Sequence, residues 1–234
     1  MKNYKPSLLA TAVIAAACVP VATHADSNIS FSFSPPPITS VAAPGERINK
    51  GSVGYTMLEF GDSELDLLNL NLLTKRDGMF GSLGFVTGED DSGNLYMTGL
   101  AGMLGVERML DSGVAMAVGV GLNYLYTEYD DRVADVYAET YITTVPAMAS
   151  IQKRFPINDA VGVTPYLILN AVLLGSASTD TNTAAGFSSY EYDFDPYLGI
   201  QLGADIDFGG YSLGAFYQSA DDSSVTSLTF SFEF

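Results

Sequence analysis

Tryptophan is absent from this 234-residue chain, and cysteine and histidine occur once each, at Cys18 and His24. Both fall in an N-terminal stretch that reads as an export signal. Lys2 and Lys5 open it, Leu8–Ala22 form an apolar run broken only by Thr11 and Pro20, and Thr23-His24-Ala25 places small residues before a cut ahead of Asp26. A basic start, a short apolar run and small residues at the cut are the layout of a secretory signal peptide, and the run is short for a spanning helix. The alternative, a lipid anchor on Cys18, lacks the leucine expected three positions ahead, because Ala15-Ala16-Ala17 stand there.

Loss of residues 1–25 leaves a chain without cysteine, histidine or tryptophan. Histidine-based general-base and triad chemistry is then excluded, as are cysteine nucleophiles, Cys/His zinc sites and haem attachment. Gly119-Val120-Gly121 follows no phosphate-loop spacing. The expectation is no enzyme, with no catalytic residue, no cofactor and no metal site. The acidic runs Glu89-Asp90-Asp91 and Asp130-Asp131 lack EF-hand spacing and read as hydrated loops.

Basic residues are scarce. Removing Lys2 and Lys5 takes the ten bases to eight against 27 acids, and the net charge from −17 to −19. A chain so acidic repels phosphate backbones, so no nucleic-acid partner is expected. Acidity can signal disorder, but disordered chains are poor in aromatics and this one has 14 Tyr and 13 Phe. Also missing after Asp26 is any stretch of 18 consecutive apolar residues. That excludes a membrane helix and leaves strands as the only way to cross.

What is present is a period of two. In Glu191–Phe208 one face carries Tyr192, Phe194, Leu198, Ile200, Leu202, Ile206 and Phe208, and the other Glu191, Asp193, Asp195, Gln201, Asp205 and Asp207. Successive side chains of a strand point to opposite sides, so one face is oily and the other polar. Aromatics at both ends of the oily face and aliphatics between suit a bilayer crossing. Val114–Tyr126 repeats the design, with Val114, Met116, Val118, Val120, Leu122, Tyr124 and Tyr126 opposite Ala115, Ala117, Gly119, Gly121 and Asn123. Larger neighbours such as Phe216 are expected to pack over those small residues, since narrow barrels are filled.

Turn signals divide the chain into about ten strands, near 50–61, 64–76, 78–88, 95–110, 113–129, 134–155, 160–174, 190–208, 211–219 and 223–234, with eight or twelve as alternatives. The fold expected is all-β: an antiparallel up-and-down transmembrane barrel over residues 50–234, preceded by a signal peptide (1–25) and a Pro-rich extension (26–49). Lys75, Arg76, Arg108, Lys153 and Arg154 flank the tight turns, and Arg47 and Lys50 join them, whereas only Arg132 lies among the longer acidic connections. Tight turns are expected on the periplasmic side and long ones outside. Pro146, Pro165 and Pro196 fall inside strands, where each removes a ladder donor, so bulges are expected there.

The ending Leu228-Thr229-Phe230-Ser231-Phe232-Glu233-Phe234 resembles the terminal strand of bacterial outer-membrane barrels. The alternation over residues 50–234 is similar to the small eight- to ten-stranded class, the opacity- and OmpA-type barrels. The resemblance implies outer-membrane localisation, membrane lipid as surroundings, and recognition of Phe230, Phe232 and Phe234 by the barrel-assembly machinery. It also implies a Gram-negative cell envelope.

Three functional readings follow. The first is a barrel with a structural or surface-interaction role and no catalysis. The second is a narrow, weakly cation-preferring channel, porin-like, with Glu191, Asp193, Asp195, Asp205 and Asp207 facing the lumen. The third is a soluble periplasmic β-barrel binding protein, which would not need aromatic bands on an outward face.

Overall fold

The computed structural model describes residues 46–60, 63–132, 135–184, 186–193, 196–220 and 223–234. The signal peptide and nearly all of the Pro-rich extension lie outside the described residues. Among those described, the regular structure is entirely β. The segments are β1 (Arg47–Phe60), β2 (Ser63–Arg76), β3 (Met79–Asp90), β4 (Leu95–Met109), β5 (Val114–Asp131), β6 (Val136–Lys153), β7 (Phe155–Pro156), β8 (Val161–Thr183), β9 (Gly186–Asp193), β10 (Tyr197–Phe208), β11 (Tyr211–Ala220) and β12 (Ser223–Glu233). β7 is a two-residue bridge on β8, and β9 and β10 are two parts of one crossing, so the wall has ten staves.

Each stave pairs antiparallel with the next in sequence, and β12 pairs with β1. That last ladder runs from Lys50↔Glu233 to Phe60↔Ser223 and closes the ring. Closure satisfies the backbone within the ring itself, which lets extended chain lie in hydrocarbon.

Alternation decides what each face meets. On β5, Met116, Val118, Val120, Leu122 and Tyr124 point outward and are exposed, while Ala115, Ala117, Asn123, Leu125 and Thr127 are buried inside. The exposed outward set continues around the wall as Leu68, Leu70 and Leu72, then Leu83, Leu100 and Leu104, then Leu198, Ile200 and Leu202, and Leu228. Tyr55, Tyr96, Tyr124 and Tyr217 lie toward the long-loop end, and Phe155, Tyr211, Phe232 and Phe234 toward the tight-turn end. Tyr211 stacks on Phe230 with ring centroids 5.9 Å apart. A soluble protein does not expose a continuous apolar belt of this extent, and an aromatic-edged belt is the lipid contact of a transmembrane barrel. The alternative of a soluble periplasmic barrel does not fit this exterior.

Three local features differ from the sequence reading. β1 begins at Arg47, so Arg47–Asn49 belong to the sheet and not to the extension. Gly175–Ser189, expected as a loop, is a hairpin: β8 runs to Thr183 and β9 returns along it from Thr183↔Gly186 to Ser176↔Asp193. The staves β5, β6, β8 and β9 thereby rise beyond the ring as a four-stranded sheet. The third is a change of parity in the crossing from β9 to β10, described below.

The prolines sit where the ladder is already interrupted. Pro146 lies at the shift between Val145↔Leu174 and Pro146↔Val172, which leaves Leu173 extra on β8 and turns both Leu173 and Leu174 outward. Pro165 falls in the gap between the β6–β8 ladder, which ends at Gln152↔Tyr166, and the β7–β8 ladder, which starts at Phe155↔Val163. Pro196 separates β9 from β10. In each case the missing N–H falls beside a break.

Candidate functional site

Inward-facing side chains fill the bore. Toward the long-loop end, Leu58, Leu65, Leu67, Val86, Leu95, Met97, Leu125, Ile142 and Ala177 form an apolar cluster, with Tyr129, Tyr192 and Val225 packed on it. Toward the tight-turn end a second cluster comprises Leu73, Phe80, Met103, Ala117, Met148, Tyr166 and Ile168, with Phe216 packed against it. Two apolar clusters explain why β2 alternates poorly in sequence: Leu65, Leu67 and Leu73 face the lumen while Leu68, Leu70 and Leu72 face lipid.

The inner glycines are where the large rings lie. A Cβ on Gly105 would stand 2.3 Å from the Phe80 ring, one on Gly119 2.8 Å from it, and one on Gly203 2.2 Å from the Tyr166 hydroxyl. Small residues on one stave thus make room for rings lying over them from neighbouring staves, as narrow barrels require.

Charged groups in the bore stand beside partners of opposite sign. Lys75 Nζ lies 3.1 Å from Glu107 Oε2, and both side chains are fully buried. Lys50 Nζ lies 4.0 Å from Asp205 Oδ2, and at the mouth Arg154 Nε lies 3.7 Å from Asp207 Oδ2, which also accepts the Thr164 hydroxyl at 3.0 Å. Charge withdrawn from water needs such partners. Around the mouth, Lys50, Gln152, Arg154, Asp207 and Ser212 line a cavity of about 390 Å³.

Of the acids expected in the lumen, Asp205 and Asp207 point into the bore. Glu191 and Asp193 do not. Tyr192 lies opposite Ala177 and packs into the outer cluster, so its sequence neighbours face away and are exposed. Parity then inverts before β10, where Leu198 faces lipid opposite Ala171 and Gly199 faces inward. The single polar face expected over 191–207 is therefore two faces joined at a break. Asp195 lies outside the described residues. Alternation missed Lys50, Lys75 and Glu107, although their parity with Ser52, Leu73 and Met103 carried the information.

Phe230, Phe232 and Phe234 lie on the outward face beside the closing seam. The Phe232 ring covers Gly51, where a Cβ would meet it at 2.7 Å. The Phe234 N–H donates to Asn49 O at 3.0 Å, and Asn49 Nδ2 donates to Phe234 O at 3.3 Å.

The raised outer sheet is acidic and tyrosine-rich. Glu128, Glu139 and Asp180 stand side by side across β5, β6 and β8. Like charges directly opposed are unfavourable, and hydroxyls from neighbouring tyrosines offset this. Tyr126 shares its one hydroxyl proton between Glu128 Oε2 at 2.9 Å and Glu139 Oε1 at 3.0 Å, and Tyr137 donates to Glu139 Oε1 at 2.7 Å. The hydrogen bond to Glu139, followed by burial, pushes the Tyr137 phenol up to about 12. In the turn below, Asp90 accepts the N–H groups of Asn94 and Leu95 and the hydroxyl of Ser92, so this acid shapes its own loop.

No family model and no curated protein matches the chain. Among solved structures, the β domain of the Bordetella autotransporter BrkA is 15% identical, with a TM-score of 0.49 over 80% of this chain and 99% of that one. Neisserial surface protein A is 7% identical, with a TM-score of 0.40 over 80% and 97%. The attachment invasion locus protein Ail of Yersinia pestis is 15% identical, with a TM-score of 0.36 over 82% and 100%. The closed ring, the even number of staves and the lipid-facing exterior are those of a bacterial outer-membrane β-barrel.

Proposed function

We propose that this chain is a plugged, non-catalytic outer-membrane barrel whose raised outer sheet is an interaction surface. The observation that supports this reading is β9. Among the described residues it pairs along one edge only, with β8, so its other edge offers backbone donors and acceptors above the ring. An unpaired edge is the surface to which an extended segment of another chain adds by β-augmentation. Phe187 and Tyr190, exposed on β9, supply apolar area beside it, and Glu191 and Asp193 add charge that disfavours acidic partners.

A narrow conduit draws less support. Two apolar clusters occupy the bore, and the lumen carboxylates Asp205, Asp207 and Glu107 stand beside Lys50, Arg154 and Lys75. A cation-selective path needs unpaired acids along a wet channel. The absence of histidine and cysteine after residue 25 speaks against catalysis. Insertion by the assembly machinery through Phe230, Phe232 and Phe234 belongs to the same proposal.

The test is surface capture by protein reconstituted in vesicles, alongside planar-bilayer recording. Capture of extended peptides or cells that is lost in Phe187→Ser/Tyr190→Ser, with a silent bilayer, is the expected result. Discrete cation-preferring openings, or capture indifferent to both substitutions, would overturn it.

A further inference from the structure

On the lipid-facing wall, glycines thin the sheet into a groove of about 700 Å³. Its floor includes Gly81 and Gly102, and its walls Leu72, Leu83, Leu104 and Leu122. The register places Asn49, Thr74, Gly81 and Leu104 in one row across β1 to β4, with Phe234 hydrogen-bonded to Asn49 at the end of that row.

One outward step below that row stand two arginines. Arg47 lies opposite Arg76 in the β1–β2 ladder, with both on the exterior face at the tight-turn rim. Directly opposed like charges destabilise a sheet. Their nearby partners are slight: Arg47 Nε donates to the neutral Asn49 Oδ1 at 3.2 Å, and Arg76 pairs with Asp77 at 3.2 Å in an ion pair open to water. Arg108 joins them on the outward face of β4. The opposite rim carries Glu59, Glu64, Asp66, Glu128 and Glu139 on its exterior. The outward faces of the strand ends therefore carry cations at the tight-turn rim, beside the exposed acids Glu46, Asp77 and Asp111, and anions at the opposite rim.

We infer that the groove and the arginine pair together hold an anionic phospholipid of the periplasmic leaflet. One acyl chain lies over Gly81 and Gly102, and the phosphate meets Arg47 and Arg76. Two residues of strand separate the arginines from the groove's lower row, about 7 Å at the usual rise, the offset between a headgroup and the start of its tails. Guanidinium groups suit the site because their forked donors match phosphate oxygens. The inference rests on the membrane placement argued above.

The experiment is native mass spectrometry of the detergent-purified mature protein with phosphatidylglycerol or phosphatidylcholine at equal concentration. Retention of phosphatidylglycerol several-fold above phosphatidylcholine is expected. In Arg47→Gln/Arg76→Gln that preference should vanish, through loss of phosphatidylglycerol. In Gly102→Leu, retention of both lipids should fall; the Cβ meets nothing nearer than Leu83 Cδ2 at 3.5 Å, so the new side chain starts without a clash. A heat-shift gel establishes that each variant is folded. Equal retention of the two lipids, or folded variants indistinguishable from the parent, would overturn the inference. A protein that stays monodisperse without detergent would instead overturn the membrane placement, a failure seen before any lipid is added.

Discussion

Lys75 on β2 reaches across β3 to Glu107 on β4, closing a 3.1 Å ion pair from which solvent is fully excluded. The pair ties together alternate staves that share no backbone ladder. Its contribution is best expressed as a difference between breaking and replacing it.

Lys75→Met alone leaves Glu107 charged and buried, which costs about 3–5 kcal/mol. Lys75→Met/Glu107→Leu removes both charges and is expected to restore most of that loss. Guanidinium unfolding in lipid vesicles measures both. A single variant as stable as the double would contradict the geometry.

Glycines on opposite faces of β4 should behave differently. Gly105→Ala drives a Cβ to 2.3 Å from both the Phe80 ring and Val118 O, and backbone cannot yield as a side chain can. The expected loss is about 1–3 kcal/mol. Gly102→Ala, which faces lipid with nothing nearer than 3.5 Å, should stay within about 0.5 kcal/mol of the parent. The same unfolding assay separates them.

Hollowing the bore should change its electrical behaviour. Phe80→Ala/Tyr166→Ala removes the two rings that lie over Gly105, Gly119 and Gly203. Planar-bilayer recording is expected to show a silent parent and flickering conductance in the variant. A parent that conducts as well as the variant would show that those rings do not seal the path.

Tyr137 provides a pH probe above the apolar belt. Its phenol ionises near pH 12 instead of 10, because the Glu139 carboxylate accepts its proton in a hydrogen bond that the phenolate cannot make. A raised folded-state value favours folding below pH 10, and the contribution is lost as pH rises through about 12. Ultraviolet titration of Glu139→Gln should show the Tyr137 phenol returning toward 10, with Tyr126, which shares that carboxylate, shifting in the same direction.

Much of this architecture is legible before any coordinates. The strand segments near 95–110, 113–129 and 223–234 are found within a residue or two of the sequence reading, because a half-oily strand announces itself by alternation. Arg76, Arg108 and Lys153 stand at the tight-turn end, as their places in the sequence predict. The raised sheet was less legible. Thr179, Thr181 and Thr183 alternate with Asp180 and Asn182, and a strand polar on both faces resembles a loop in composition. Its order comes from pairing with β6 and β9. The inversion between Asp193 and Tyr197 was hidden for a different reason: the residues on either side alternate correctly, and only their partners on β8 show that the phase has changed.

The residues alone determined that this chain crosses a membrane as strands, that the strands close on themselves, and which end carries the bases. Those conclusions need only the opposite pointing of neighbouring side chains and the cost of bare backbone in lipid. Tertiary structure decided that Lys75 meets Glu107, that Arg47 faces Arg76, and that Glu191 leaves the bore. Each of these depends on which residue of one strand lies beside which residue of another, and register is a relation between distant segments that no local pattern contains.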